Sequence, residues 1–196
     1  LFRSPEGIED RHFADSLLFA AQPEVSGRLV DVGTGAGFPG LPLRVLEPSI
    51  RLTLLDSLNK RIQFLETVCR ELDLPDVACV HARAEEFAAE HRETFDLAVS
   101  RAVAALPVLC ELCLPLVKPG GKFLAMKSVE SDPELQEARS AIAQLGGERL
   151  CFRQFFLVLR AQPLAPVVRI LQRFQLHRNP VAVCQHLSDR TAVFLF

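Results

Sequence analysis

Residues 28–56 carry the pattern that most constrains this chain. An apolar run, Arg28-Leu29-Val30-Asp31-Val32, is followed by glycines at 33, 35, 37 and 40 and by the segment Leu41-Pro42-Leu43-Arg44-Val45-Leu46. A second apolar run, Leu52-Thr53-Leu54-Leu55, then closes on Asp56. Each run reads as a strand buried on both faces, as parallel sheets require. Glycine lets the backbone bend sharply and approach a ligand, because no Cβ intervenes. A helix opening after such a turn directs its free N–H groups back toward it. An acid at the end of the second strand can accept hydrogen bonds from both hydroxyls of a ribose. The segment therefore reads as a nucleoside-binding β–α–β unit.

Two cofactors compete for that unit. Gly35-Ala36-Gly37-Phe38-Pro39-Gly40 satisfies the G-x-G-x-x-G dinucleotide pattern. Its spacing suits NAD poorly: Asp56 lies 16 residues after Gly40, and Pro39 lacks an N–H where a pyrophosphate needs one. Read from Gly33, the pattern is acid-x-G-x-G-x-G led by Asp31, and it resembles motif I of Rossmann-like S-adenosylmethionine (SAM) methyltransferases. That loop holds an amino-acid carboxylate and a sulfonium, with no phosphate to cradle. Its leading acid orients the loop or meets the cofactor's ammonium. A tight strand–helix connection with no ligand is a third reading.

The rest of the chain continues the alternation. Strands are expected near 28–32, 51–55, 77–81, 95–100 and 121–127, and helices near 41–47, 58–72, 104–117 and 132–145. This order predicts an α/β fold with a doubly wound, mostly parallel sheet. Ligands of such sheets bind beyond the carboxyl ends of the strands, where Gly33, Asp56, Glu85 and Arg101 all fall.

Further motifs occur in a fixed order: His12-Phe13-Ala14-Asp15-Ser16-Leu17, the glycine-rich segment 31–43, Leu54-Leu55-Asp56-Ser57-Leu58-Asn59-Lys60-Arg61, Arg83-Ala84-Glu85-Glu86-Phe87, Ser100-Arg101-Ala102 and Lys118-Pro119-Gly120-Gly121. Over roughly residues 1–150 the chain resembles the bacterial small-subunit ribosomal RNA (guanine-N7) methyltransferase family, also called the glucose-inhibited division protein B family. Gly-Phe-Pro-Gly-Leu-Pro after motif I and Ser-Arg-Ala after the fourth strand are the specific elements. The resemblance implies a Rossmann-like class I SAM-dependent methyltransferase with an antiparallel C-terminal strand pair. It also implies an N-terminal helical region ahead of the present Leu1.

The site residues come from the residues and the resemblance together. Gly33, Gly35 and Gly37 are expected to line the methionyl part of SAM, and Asp56 to bind ribose or, alternatively, to cap the helix that follows. The resemblance assigns Ala84 and Glu85 to the adenine, where the competing reading is a solvated first helical turn. Phe38 is a cofactor contact or core packing. Arg101 is a cofactor-pocket or substrate-positioning residue, since a long cation at a strand end is costly unless paired or ligand-facing. Lys127 is a candidate for RNA phosphate or guanine O6, although Ser128 follows where the family has Gly. His12 and Asp15 read as a helix cap or a buried hydrogen bond near the pocket floor.

Composition bounds what remains. The 196 residues, 49% of them hydrophobic, suit one methyltransferase domain over 1–196, with 151–196 matching the family poorly. No apolar run approaches a membrane span and no secretory signal is visible. The six cysteines lack a disulfide spacing, which fits a cytoplasmic location. Cys110-Glu111-Leu112-Cys113 sits in an apolar, helix-like run, so packing explains it better than a metal does. Residues 1–150 carry a net −7 and residues 151–196 a net +5. That basic excess attracts phosphate or is simply solvated. Phe155–Leu159 and Ala192–Phe196 are the candidate C-terminal strands.

The overall charge of −2 gives no global attraction to RNA, so an assembled or partly assembled small-subunit particle is the expected substrate, met by a monomer. Guanine N7 presents an in-plane lone pair, so the reaction needs positioning and no base, and a missing Ser/His/Asp set does not count against an enzyme. Rival readings are a methyltransferase for a small molecule or protein on the same fold, and a non-catalytic SAM- or nucleotide-binding module that docks on RNA.

Overall fold

The computed structural model describes Ser16 and residues 25–101, 103–128, 132–145 and 193–195; for 126–128, 132, 135 and 193–195 only the backbone path is described. The chain lays down β1 (Arg28–Val32), α1 (Gly40–Leu46), β2 (Arg51–Asp56), α2 (Asn59–Glu71), β3 (Ala78–His81), α3 (Ala84–Glu90), β4 (Phe95–Arg101), α4 (Leu106–Cys113), β5 (Val117–Ser128), α5 (Asp132–Gln144) and β6 (Val193–Leu195). The strand order is β3-β2-β1-β4-β5-β6. The first five strands are parallel, and β6 lies antiparallel to β5, with Lys127 opposite Phe194. Of the two segments expected as a C-terminal pair, Phe155–Leu159 lies outside the described residues.

Alternating side chains of the central strands feed two cores. Leu29, Leu52, Leu54, Leu97 and Val99 pack on one face against Leu41 and Leu43 of α1 and Ile62, Leu65 and Cys69 of α2. Val30, Val32, Leu55 and Ala98 face the other way, toward Phe87 and Ala88 of α3 and Cys113 beyond them. Both faces of β1 and β2 are covered, which is why these strands read as near-continuous apolar runs. Each fully buried leucine contributes about 2 kcal/mol from removal of its apolar surface from water.

Three elements differ from the sequence reading. The helix expected over 104–117 spans Leu106–Cys113, because Pro107 fits the helix start while Pro115, with no N–H, forces the last turn into a 3-10 segment over Leu114–Leu116. The fifth strand begins at Val117 instead of 121: Val117 pairs with Phe95, the chain makes an excursion, and pairing resumes at Lys122 with Leu97. Helix α3 is not among the helices expected from the alternation, although the reading of Ala84 and Glu85 as a solvated first helical turn coincides with its start; it buries only Phe87 and Ala88.

The chain runs outward from β1 to β3 and then crosses back to place β4 beside β1. The switch point is thus between β1 and β4, and their carboxyl ends border the crevice that such sheets use for ligands. Ser100 closes the floor of that crevice: its Oγ donates to the Val32 carbonyl at 2.9 Å, tying the ends of the two strands together.

Candidate functional site

The glycine loop is held by two carboxylates. As β1 ends, the Gly33 and Thr34 N–H groups both donate to the Leu55 carbonyl, at 2.8 and 3.1 Å, which folds the chain over the end of β2. Gly33 has φ +69°, a left-handed backbone that favours glycine, and a Cβ there would meet Val103 Cγ2 at 2.5 Å, so that exposed side chain would have to shift. Asp31 Oδ2 accepts from Thr34 Oγ1 at 2.8 Å and from the Gly40 N–H at 2.9 Å, gathering the two ends of the loop. Asp56 Oδ2 accepts from the Gly35 N–H at 3.0 Å and fixes the middle.

Helix α1 does not offer a phosphate site. The Gly40 N–H is given to Asp31, the Leu41 N–H to the Gly37 carbonyl at 2.8 Å and the Leu43 N–H to the Pro39 carbonyl at 3.2 Å, while Pro39 and Pro42 have none. A pyrophosphate would need those donors. The dinucleotide reading therefore lacks its main contact.

Asp31 is fully buried, and its Oδ1 has no hydrogen-bond partner among the described residues. Burial is the main cause that pushes its carboxyl up to about 6, against the opposing pull of the Thr34 and Gly40 bonds and the Arg101 charge; Asp56 adds to the rise. A buried acceptor without a donor is costly unless a ligand or ion supplies one.

Above the loop lies a cavity of about 820 Å³, within the range of small-molecule and cofactor sites. Its lining joins the loop to the ends of β2, β3 and β4. Among the expected residues, Gly33, Gly35, Phe38, Asp56, Ala84, Glu85 and Arg101 all line it. Gly37 does not: it sits beneath the loop, where a Cβ would meet Leu41 Cδ1 at 2.5 Å and Leu65 Cδ2 at 3.0 Å. The side chain of Lys127, together with His12 and Asp15, lies outside the described residues.

The walls have distinct chemistry. Phe38 is half-buried and meets the Arg101 guanidinium 5.3 Å from its ring centroid, so a cation–π contact joins the loop to the end of β4. Asp56 is 3% exposed, and its Oδ1 also accepts from the Leu58 N–H at 2.9 Å, just before α2. It therefore touches the start of the helix and the cavity at once. Ala84 and Glu85 open α3, with Glu85 exposed and paired to Arg83 at 3.5 Å.

Several lining residues escape a reading of the sequence. Arg61 and Arg83 stand inside the quoted motifs without an assigned role, and Arg61 pairs with Asp56 at 3.1 Å. Val103 and Leu112 carry no motif signal and reach the cavity only through the path of the chain after β4. Cys110 and Cys113 are buried in hydrophobic clusters. No helix among the described residues is long and apolar enough to cross a membrane.

The residues fit SAM on four counts: a first turn of α1 whose N–H groups are spent internally, a buried carboxylate beneath the loop, an acid at the end of β2, and a cavity joining the loop and that acid to the start of α3. Comparisons with solved structures support the same architecture. The chain superimposes with a TM-score of 0.54 on the YcgJ protein of Bacillus subtilis, at 14% identity and covering 82% of each chain. It superimposes with the same score on a SAM-dependent O-methyltransferase from Thermotoga maritima, at 17% identity over 66% of this chain and 49% of that one. These likenesses show a class I methyltransferase fold.

Sequence relatives are much nearer. The protein named ribosomal RNA small subunit methyltransferase G in Desulfitobacterium hafniense is 48% identical over 166 residues, 84% of this chain and 69% of that protein. Its namesake in Alkaliphilus metalliredigens is 52% identical over 147 residues, 73% of this chain and 62% of that protein. The chain thus spans about two thirds of the length of these curated relatives. The model of one family, described as rRNA small subunit methyltransferase G, matches residues 2–160. With a glycine loop stapled by two acids and this match over most of its length, the chain belongs to the rRNA small subunit methyltransferase G family.

Proposed function

We propose that this chain transfers the methyl group of SAM to N7 of a guanine in small-subunit ribosomal RNA. The observation that carries the reading is the stapled loop: Asp31 and Asp56 hold it through Thr34, Gly35 and Gly40, and the first turn of α1 spends its N–H groups internally. Such a site favours a ribose and an amino-acid group over a pyrophosphate. Family membership supports small-subunit rRNA as the acceptor.

Bound there, SAM supplies an electrophilic methyl group on a sulfonium. Gly33 and Gly35 expose backbone to the methionyl part, and Asp31, buried beneath them, orients the loop through Thr34 and Gly40. Asp56 accepts from the ribose hydroxyls. Ala84 and Glu85 border the adenine. Phe38 contacts the cofactor, Arg101 beside it holds cofactor or positions substrate, and Lys127 meets RNA phosphate or guanine O6. The guanine lone pair attacks without losing a proton, so these residues orient and exclude water, with no general base required. Arg61, Arg83 and Arg101 give the rim cations that attract backbone phosphate. A single methyltransferase domain, acting as a cytoplasmic monomer on an assembled or partly assembled particle, completes the reading.

Calorimetric titration with SAM, with NADH as control, tests the cofactor. Saturable binding of SAM alone is the expected result; NADH binding without SAM binding overturns it. Methyl transfer from labelled SAM to small-subunit particles, compared with free small molecules and protein, then tests the acceptor.

A further inference from the structure

Asp56 offers two oxygens, with about four lone-pair positions between them. Two are taken by backbone donors that cannot leave without unmaking the loop or the start of α2: the Gly35 N–H at 3.0 Å and the Leu58 N–H at 2.9 Å. The remaining capacity is taken by one nitrogen of Arg61, with Nη1 at 3.1 Å from Oδ2 and 3.4 Å from Oδ1. A ribose that used this carboxylate with both hydroxyls would need the positions that Arg61 holds.

The burial of the pair says which partner yields. The Asp56 side chain is 2% exposed and the Arg61 side chain 52%, and Arg61 lines the cavity beside Asp56. The carboxylate is fixed while the guanidinium stands on a solvated stem at the first turn of α2. Arg44 and Asp76 make the opposite arrangement: there the cation is the buried member, at 11%, and the acid is 57% exposed, bonded through both oxygens at 3.0 Å. That pair clamps α1 to the turn before β3, well away from the cavity. The Arg61 pair sits across a binding position.

We propose that Arg61 is a latch on the ribose-binding carboxylate, closed on Asp56 in the free chain and displaced when SAM binds. The proposal rests on the SAM reading above. In the free protein the latch neutralises a buried charge and adds stability. For the cofactor it is a competitor, so the free chain binds SAM more weakly than the same pocket without it. An ion pair serving structure alone would lower stability and affinity together when removed; a latch moves them in opposite directions.

Calorimetric titration with SAM, together with thermal unfolding, of the wild-type chain, Arg61→Gln and Arg61→Lys separates these cases. Arg61→Gln is expected to melt at a lower temperature yet bind SAM about three- to tenfold more tightly, the order of one half-exposed charge-assisted contact. Arg61→Lys keeps the charge without the fork and is expected to fall between the two; it also keeps the test alive if the glutamine variant does not fold. Unchanged or weakened SAM affinity in a folded variant overturns the latch while leaving the cofactor reading intact. No SAM binding by any of the folded chains overturns the cofactor reading, and the latch with it.

Discussion

The two ends of the sheet use the same materials for different purposes. At the amino-terminal end, Asp96 accepts from the Arg28 N–H at 2.8 Å and pairs with Lys118, while the chain bends through Gly120 and Gly121. The bond to Lys118, helped by the Arg28 N–H, holds the Asp96 carboxyl below its ordinary value. At the carboxyl end, Asp31 has no salt bridge and one oxygen without a partner among the described residues, and burial drives its carboxyl up to about 6. Glycines and acids stand at both ends, so neither residue type marks the site. What marks it is an incompletely satisfied acid buried beneath a loop that lines a cavity, where perturbed groups concentrate.

The sharpest way to break this contrast is at the glycines. Gly33→Ala adds a left-handed-backbone penalty to a collision with Val103 and is expected to cost about 2–4 kcal/mol by urea denaturation. A loss near zero would mean that the loop is not held as described. Next comes the buried acid. Below pH 4, Asp31 is neutral in the folded and unfolded chains alike. Between about 4 and 6 the folded chain keeps a proton that the unfolded chain has released, so stability falls as pH rises through this window. The deficit is complete above pH 6, at about 3 kcal/mol for the whole shift. Asp31→Asn is expected to flatten that part of the stability profile, and an unchanged profile would remove Asp31 as its cause.

Smaller effects separate binding from folding. Asp56→Ala is expected to weaken SAM binding by about 2 kcal/mol, whereas Asp96→Ala leaves the affinity unchanged and lowers stability by about 1 kcal/mol. Equal affinity losses in the two variants would erase the distinction between the ends. Gly120→Ala is expected to cost about 1 kcal/mol: φ is +82°, but nothing lies within 4 Å of the added Cβ. Its effect subtracted from that of Gly33→Ala isolates the collision with Val103.

Much of this architecture is legible in the sequence because the relevant signals are local. The β1–α1–β2 unit follows from apolar runs punctuated by glycine, and the position of Asp56 follows from the end of a strand. Helix α3 is harder to read, since seven residues burying only Phe87 and Ala88 give too short a stretch for a helical period to emerge. The start of β5 is hidden by Pro119 and Gly120, which break the strand pattern just where pairing pauses. Leu112 reaches the cavity through long-range packing, while Val103 follows directly on the Ser100–Ala102 motif but is itself no part of it. Arg61 is visible as a residue of the motif, but its pairing with a buried acid five positions earlier depends on how α2 leaves the end of β2. Gly37 shows the converse: a motif position whose glycine answers to the core.

The bond from Ser100 to the Val32 carbonyl bears on how such a pocket diversifies. It ties β1 to β4 at the switch point, so widening the crevice by parting its strands would cost this buried bond as well. Variation in what the pocket accepts must then arise at the rim, where Phe38, Arg83 and Val103 sit on turns and helix starts that tolerate exchange. A lineage built on this frame inherits a fixed socket for one half of its reaction and a negotiable mouth for the other.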